Sequence, residues 1–155
     1  MTESSLSIGP FIRTMTRFDL EPVYAIEQAS YEFPWTMGLL ADCLRVGYHS
    51  FVYEENNEIR GYAFVSTVLD EAHLLNICIA PQYQHRGYGQ QFLQWLMDHF
   101  RDNGAKTMYL EVRMSNHIAI QMYQNMGFNE IGVRRNYYPA KQGKEDAQLF
   151  ACEFF

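Results

Sequence analysis

The sequence predicts an α/β (α+β) domain built on one mixed β-sheet. Apolar, strand-like runs alternate with amphipathic helical segments along all 155 residues. Glycine and proline fall mainly between these segments, where the chain must turn. Because no repeat, low-complexity tract or linker interrupts the alternation, we expect residues 1–155 to form a single domain. A chain of this length can bury a hydrophobic core large enough to fold without disulfides or a structural metal.

The first third of the chain is predicted as one strand followed by two helices. Thr16 and Asp19 have the spacing of a capping box, which starts a helix. Thr36 is suited to cap the second helix, and Gly47 to end it. The predicted ranges are a strand over 7–16, a helix over 18–31, a turn over 32–35 and a helix over 36–47.

Strands and helices then alternate to the C-terminus. The stretch "NNE" between two strand-like runs is a hairpin signal. Residues 72–80, "AHLLNICIA", are almost continuously apolar, so we expect a central strand buried on both faces. A polar loop, "PAKQGKED", separates the last two strands. The predicted strands are 49–55, 59–69, 72–80, 106–113, 128–138 and 146–155, and the predicted helices are 87–101 and 115–126.

Composition limits the classes of partner. The net charge of −6 argues against direct nucleic-acid binding, which favours basic surfaces, and is compatible with a cationic substrate. The three cysteines are scattered, without a C-x-x-C pair, which suits a reducing cytoplasm better than a disulfide framework. We see no signal peptide and no membrane-length apolar run. The five histidines show no metal-ligand spacing, so we expect no metal.

Residues 77–89, "ICIAPQYQHRGYG", carry two glycines where a strand passes into a helix. A helix N-terminus exposes unpaired N–H groups, and Gly87 and Gly89 let such groups approach a bound anion. Arg86 is unfavourable beside a bare helix N-terminus and makes more sense with an anion present. The stretch therefore indicates a phosphate or pyrophosphate site, although a tight turn with a solvated arginine remains an alternative. Neither the Walker loop nor the dinucleotide fingerprint is present.

The pattern Gln84-x-x-Gly87-x-Gly89 after a strand resembles motif A of the GNAT acyltransferase superfamily. Three further stretches resemble its RimI-type branch, which acetylates the N-terminal alanine of a small-subunit ribosomal protein. The resemblance covers about residue 7 to the C-terminus. It implies the GNAT acyl-CoA N-acyltransferase fold, a central mixed, mostly antiparallel sheet flanked by helices. The stretches are "LDEAHLLNICIAPQYQHRGYG", "YLEVRMSNHIAIQMYQNMGF" and "RRNYYP" followed by "EDA".

The resemblance also implies acetyl-CoA as co-substrate and assigns residues to it. Backbone amides of the glycine loop would hold the pyrophosphate, and those of the preceding strand would meet the pantetheine and the thioester carbonyl. A backbone N–H there would stabilise a developing oxyanion. Cys78 itself is interpreted as inert packing, so we expect direct attack by the amine in a ternary complex. The implied contacts are Ile77, Cys78, Ile79, His85, Arg86, Gly87, Tyr88, Gly89, Gln90 and Asn116.

Glu111 is the candidate general base. Strand alternation in "TMYLEVR" places it on the face opposite Met108 and Leu110. A carboxylate on an internal strand is costly unless it faces water or a cleft, where it would be able to deprotonate an amine directly or through a water. A solvent-facing carboxylate paired with Arg113 is the alternative. The RimI-type pattern places its general base at this glutamate.

Tyr123 is the candidate general acid. It lies two helical turns after Asn116 and shares its helix face. A core aromatic is the usual role of such a tyrosine, whereas its hydroxyl would also be able to protonate a leaving thiolate. The resemblance favours the second role for Tyr123 and a coenzyme contact for Asn116. Helix capping is the alternative for Asn116.

The acceptor is predicted to be an N-terminal peptide of a ribosomal protein. The resemblance places Trp35, in the "EFPW" turn, at the wall of a peptide groove, and Tyr137 and Tyr138 in a loop that binds peptide backbone. An α-amine, with a pKa of about 7.7–8.0 against about 10.4 for lysine, is easier for one glutamate to deprotonate. Acetylation of a lysine, polyamine or other small amine remains an alternative, as does a non-catalytic acyl-CoA sensor.

Overall fold

The computed structural model describes residues 10–154. Short 3₁₀ turns at Arg17–Asp19 and Pro81–Tyr83 supplement the regular elements. The helices are α1 (Leu20–Ser30), α2 (Met37–Arg45), α3 (Tyr88–Asp102) and α4 (His117–Asn125). The strands are β1 (Phe11–Thr14), β2 (His49–Glu55), β3 (Glu58–Val68), β4 (Glu71–Ile79), β5 (Thr107–Arg113), β6 (Asn129–Pro139) and β7 (Lys144–Glu153).

The strands form one mixed sheet in the order β1-β2-β3-β4-β5-β7-β6. β4 and β5 are parallel, because α3 connects them as a crossover helix. The pairs β1–β2, β5–β7 and β6–β7 are antiparallel. The predicted α/β class with a mixed, mostly antiparallel sheet is therefore confirmed. β5 is an internal strand of this sheet, as the sequence predicted.

The chain divides into two compact units. The first runs up to Phe64 and resumes over Asn76–Phe92, and the second comprises Val65–Leu75 and Leu93 onward. β3, β4 and α3 each contribute residues to both units, so the boundary between the units falls within these three elements.

The first unit packs α1 and α2 on a buried cluster that includes Val23, Leu40, Tyr62 and Phe64. The predicted helix starts are present. The Thr16 N–H donates to the Asp19 carboxylate at 2.8 Å, and the Leu39 N–H donates to Thr36 Oγ1 at 3.1 Å. These bonds satisfy amides that helix starts leave without an intrahelical partner.

The turn between β2 and β3 consists of Asn56 and Asn57. Both residues are left-handed, with φ of 52° and 63°, as a two-residue type I′ hairpin requires. Asparagine tolerates this conformation better than most residues, because its short side chain bonds locally. The predicted hairpin is confirmed.

β4 differs from its prediction as a strand buried on both faces. Ala72, Leu74 and Cys78 are buried, but Leu75 is 38% exposed and His73 is half-buried. A mostly antiparallel sheet leaves one face partly open, whereas full burial on both faces is typical of all-parallel sheets. The continuous apolar run therefore overstated the burial of this strand.

The second unit has its core on one face of β5. Met108, Leu110 and Val112 are buried, and the alternate residues of the strand are half-buried, as predicted. Phe150, which is fully buried, stands opposite Leu110 in the antiparallel pair β5–β7. Tyr123 of α4 packs on the Phe150 ring, with 6.4 Å between ring centroids.

Several element boundaries differ from the predictions. The first strand was predicted from residue 7, but residues 7–9 lie outside the described residues, as does Phe155 at the end of the last strand. The second helix ends at Arg45, before the predicted Gly47. The loop "PAKQGKED" is shorter than predicted, because β6 runs to Pro139 and β7 begins at Lys144.

Candidate functional site

The glycine loop lies in the first unit, between the end of β4 and the start of α3. His85 and Gly87 are left-handed, with φ of 64° and 85°, so the backbone turns sharply before α3 begins. A Cβ built on Gly87 would meet nothing within 4 Å, and His85 and Arg86 are exposed. Gln84 Nε2 donates to the Ile79 carbonyl at 2.9 Å and fixes the loop to β4. The loop thus offers open backbone at a helix start, which suits a phosphate group.

The side chain of Tyr88, at the first position of α3, is engaged by neighbouring residues. Arg60 Nη1 donates to its hydroxyl at 3.1 Å, and this hydroxyl donates to Glu55 Oε1 at 3.3 Å. Arg60 also pairs with Glu55 at 3.2 Å and lies 4.2 Å from the centroid of the Tyr83 ring. Tyr88 therefore has its backbone, more than its hydroxyl, available for a ligand.

Ile77, Cys78 and Ile79 form the end of β4 in the first unit. The Tyr31 hydroxyl donates to the Ile77 carbonyl at 3.3 Å. Burial raises the pKa of the Cys78 thiol, which disfavours the nucleophilic thiolate and agrees with a packing role. Gly61 allows β3 to approach closely here, because a Cβ at that position would lie 2.7 Å from the Cys78 carbonyl oxygen.

Trp35 lies in the connection between α1 and α2, one residue before the N-cap of α2. Its ring packs at a tilt on Phe64, with 5.8 Å between centroids, and its backbone N–H donates to Glu27 Oε2 at 2.9 Å. The predicted substrate residue is thus half-buried and held by its main chain.

Glu111, the predicted base, lies in the second unit with 30% of its side chain exposed. Its partner is Arg134, whose Nη2 lies 3.0 Å from Glu111 Oε1. Arg113, the partner considered as an alternative, pairs with Glu145 at 3.2 Å. Burial raises the pKa of Tyr137, and a hydrogen bond to the Glu111 carboxylate raises it further. The Glu111 carboxylate is therefore held by the Arg134 guanidinium and the Tyr137 hydroxyl.

Tyr137 and Tyr138 follow an irregularity in β6. The register with β7 shifts between Arg134 and Tyr138, and Asn136 is left-handed with φ of 52°. The Asn136 N–H donates to Asp146 Oδ1 at 2.8 Å, which stabilises the irregular backbone. The two tyrosine rings then pack edge to face, with 4.9 Å between centroids.

Each of these tyrosines also has an arginine over its ring. Arg134 lies 4.9 Å from the Tyr137 centroid, and Arg113 lies 4.6 Å from the Tyr138 centroid. Burial raises the pKa of Tyr138, and the nearby Glu111 charge raises it further. Both phenols therefore remain protonated donors at neutral pH.

Tyr123 and Asn116 lie in or beside α4. Tyr123 is 7% exposed, and its ring packs edge to face on Phe128 at 5.8 Å between centroids. Tyr123 is therefore a buried core aromatic, and its role as general acid stays a prediction. Asn116 Oδ1 accepts the Ala119 N–H at 3.2 Å, so the capping role of Asn116 is confirmed while its coenzyme contact stays a prediction.

Glu145 links the start of α4 to the tyrosine pair. It accepts the Ser115 N–H at 2.7 Å and pairs with Arg113. Hydrogen bonding from Ser115, and then from Arg113, lowers the pKa of Glu145. Since Asp146 holds the Asn136 N–H, these two carboxylates serve the local structure.

The predicted residues thus fall into two groups. The first unit holds Trp35, the end of β4 and the glycine loop, and the second holds Glu111, Asn116, Tyr123 and the tyrosine pair. The sequence reading missed the roles of Arg134 and Glu145, although both lie in quoted stretches, "RRNYYP" and "EDA". Their charges were visible in the sequence, but the sequence did not show which opposite charge lies near each of them.

Residues 10–154 contain neither a grouped set of metal ligands nor a membrane-length apolar helix. In this range no three His, Cys, Asp or Glu side chains are grouped so as to hold a metal ion. None of the helices in the same range combines the length and apolar character needed to cross a bilayer.

Residues 16–128 match the model of the Acetyltransferase (GNAT) family. The match covers more than half of the chain, so the protein belongs to this family. It is an acetyl-CoA-dependent N-acetyltransferase, and the predicted enzyme class is confirmed.

Two relatives that match most of this chain are bS18-alanine N-acetyltransferases. The chain is 41% identical over 140 residues to the [ribosomal protein bS18]-alanine N-acetyltransferase of Escherichia coli K12, covering 90% of this chain and 95% of that protein. The Haemophilus influenzae enzyme of the same name is 42% identical over 135 residues, covering 86% and 92%.

Solved structures confirm the GNAT fold. The crystal structure of the Escherichia coli ribosomal-protein-S18-alanine N-acetyltransferase matches with a TM-score of 0.88 and 40% identity, covering 93% of each chain. Ard1 from Thermoplasma volcanium matches with a TM-score of 0.85 at 24% identity, covering 96% and 99%, which is a likeness of fold alone.

Proposed function

We propose that this protein acetylates the N-terminal alanine of ribosomal protein bS18, using acetyl-CoA, by direct attack of the α-amine in a ternary complex. The observation that carries the proposal is the 41% identity to the Escherichia coli bS18-alanine enzyme over 90% of the chain. The family match runs through residues of both compact units, and we propose that residues 1–155 act as one catalytic domain. The free thiols of Cys43, Cys78 and Cys152 support a cytoplasmic location.

The glycine loop would bind the pyrophosphate of acetyl-CoA. The open backbone around Gly87 and the left-handed residue His85 support a cradle of N–H groups, with Arg86, Tyr88, Gly89 and Gln90 alongside. The end of β4 would bind the pantetheine arm, and a backbone N–H of residues 77–79 would stabilise negative charge on the thioester oxygen. Asn116 would add a contact through its amide nitrogen, because its oxygen caps α4.

Glu111 would accept the proton that the amine loses as its nitrogen forms the new bond to the acetyl carbon. A carboxylate that is 30% exposed is reachable by an amine or by a bridging water. Tyr123 would give its proton to the sulfur as the carbon–sulfur bond breaks, and regain one from solvent. The products are the acetylated N-terminus and free coenzyme A, so no oxidant or further reactant is needed.

Trp35, Tyr137 and Tyr138 would contact the acceptor peptide. The Tyr138 hydroxyl stays protonated near neutral pH and is the donor for the peptide, while Tyr137, whose hydroxyl is bonded to Glu111, would contact the peptide through its ring. A hydroxyl donor binds main-chain carbonyls and so recognises a peptide N-terminus without requiring a particular sequence. This supports a protein acceptor over a small polyamine.

The test is mass spectrometry after incubation with labelled acetyl-CoA and a short peptide that begins Ala-Arg. We expect one acetyl group on the α-amine. The matched control is the same peptide with a blocked N-terminus and free lysines, which should remain unmodified. Acetylation of the blocked peptide or of spermidine would reject the N-terminal assignment, and coenzyme binding without transfer to any amine would indicate a sensor.

A further inference from the structure

Glu27 is a buried carboxylate that the proposed reaction does not use. It lies in the middle of α1 and is 2% exposed. Burial of a carboxylate is costly unless hydrogen bonds compensate for the lost water. Its surroundings therefore show what this carboxylate does in the molecule.

Three donors from three different elements converge on this carboxylate. The Tyr62 hydroxyl of β3 donates to Oε1 at 2.5 Å, and Asn76 Nδ2 of β4 donates to the same oxygen at 2.9 Å. The Trp35 N–H, in the connection between α1 and α2, donates to Oε2 at 2.9 Å. All three donors are neutral groups, so the carboxylate acts as a shared acceptor.

Glu27 thereby ties the connection between α1 and α2 to β4 within the first unit. Asn76 directly precedes Ile77, and the Tyr31 hydroxyl adds a second tie by donating to the Ile77 carbonyl. The bond from Trp35 fixes a main-chain position, so it restrains the path of the connection itself. Thr36, the next residue, is fixed in turn as the cap of α2.

We infer that Glu27 is a positioning residue for the acceptor peptide. It holds the Trp35 segment at a set distance from β4, so that the peptide-binding wall is in place before the peptide arrives. Preorganisation of this kind reduces the cost of ordering a binding segment. This inference rests on the proposed function, because it takes Trp35 to contact the acceptor.

The substitution Glu27→Gln separates the three bonds. A glutamine oxygen still accepts from Tyr62 and Asn76, but its amide nitrogen then faces the Trp35 N–H, which is also a donor. The connection loses its restraint while the other two bonds persist. Tyr62→Phe is the matched control, because it removes one bond to the same carboxylate and leaves the bond from Trp35.

The experiment measures peptide KM, kcat, acetyl-CoA affinity and Tm for both variants. For Glu27→Gln we expect peptide KM to rise by about tenfold, with acetyl-CoA affinity and kcat within about twofold of wild type. For Tyr62→Phe we expect a lower Tm with peptide KM within about twofold. An unchanged KM in Glu27→Gln, or an equal rise in Tyr62→Phe, would overturn the inference.

A double-mutant cycle with Trp35→Ala tests whether Glu27 acts through the Trp35 segment. If it does, adding Glu27→Gln to Trp35→Ala raises peptide KM little beyond the value for Trp35→Ala alone. If the two residues act independently, the fold-changes in KM of the single variants multiply in the double variant. Glu27→Asp, which withdraws the carboxylate by one methylene, replaces the glutamine variant if that variant does not fold, and the same rise in KM is expected. Failure of the proposed function would appear separately, as wild type that does not acetylate the α-amine.

Discussion

Arg134 reaches across β7 to pair with Glu111, with 3.0 Å between Nη2 and Oε1. The two residues lie on β6 and β5, and β7 runs between these strands. The pair restrains the orientation of the proposed base before any acceptor binds.

Arg134→Gln is therefore expected to lower kcat by about three- to tenfold, because the carboxylate loses the partner that orients it. Acetyl-CoA affinity, measured by calorimetry, should not change. Arg135→Gln is the matched control, since it removes the same charge from the next residue of β6, an exposed position. Equal losses in the two variants would show a general charge effect in place of a specific orienting contact.

Glu111→Gln is expected to lower turnover by about 10²-fold or more at neutral pH, because it removes the base and keeps the shape of the side chain. The loss should shrink above about pH 8, where the α-amine deprotonates without help. The measurement is a pH–rate profile of both proteins with the Ala-Arg peptide. A constant ratio at every pH would make Glu111 a structural residue.

Tyr123→Phe is expected to lower turnover while acetyl-CoA affinity stays constant, because only the hydroxyl is lost. The ring contacts with Phe128 and Phe150 should be kept, so Tm should change by only a few degrees, about what 1 kcal/mol produces. Stopped-assay release of free thiol measures the turnover. Wild-type turnover in this variant would leave solvent as the proton donor.

Gly87→Ala is expected to weaken acetyl-CoA binding by about tenfold, because the added Cβ disfavours the left-handed backbone that presents the loop amides. Gly47→Ala is the matched control. Gly47 has φ of 84° against 85° for Gly87, and a Cβ at either would meet nothing within 4 Å. Both variants carry the same backbone strain, so a similar loss of affinity in both would exclude a specific role for the loop.

Glu145 gives the stability of the protein a defined pH dependence. Its pKa in the folded protein is below the ordinary value of 4.5. A lowered folded pKa contributes stability above the unfolded value, and this contribution is lost as the pH falls through the folded pKa. The difference in unfolding free energy between wild type and Glu145→Gln should therefore shrink from about pH 6 to about pH 3. A difference that is constant with pH in urea titrations would contradict this.

Most of the fold was predictable because local signals, such as helix caps and turn residues, agreed with the hydrophobic pattern of the whole chain. The capping box at Thr16 and the asparagine turn at residues 56 and 57 are set by short-range chemistry, and both are present. Burial of β4 was overstated, because an apolar run does not reveal which face a neighbour covers. That information lies in the tertiary packing.

The partners of the candidate site were harder to predict. Glu111 was found from alternation along one strand, but its arginine came from a strand two positions away in the sheet. Glu27 was not singled out at all, because its donors lie 8, 35 and 49 residues along the chain. Contacts across such separations leave no periodic signal in a single sequence.

The irregular register of β6 has a consequence for solubility. This strand lies at the edge of the sheet, where unpaired backbone groups invite a strand from another molecule. Register shifts after Glu130 and after Arg134 leave only Gly132–Arg134 as a regular stretch between them. So short a ladder is a poor template for intermolecular pairing, and the exposed Arg135 adds charge repulsion between copies. The distortion that presents the tyrosine pair also protects the protein from edge-to-edge aggregation.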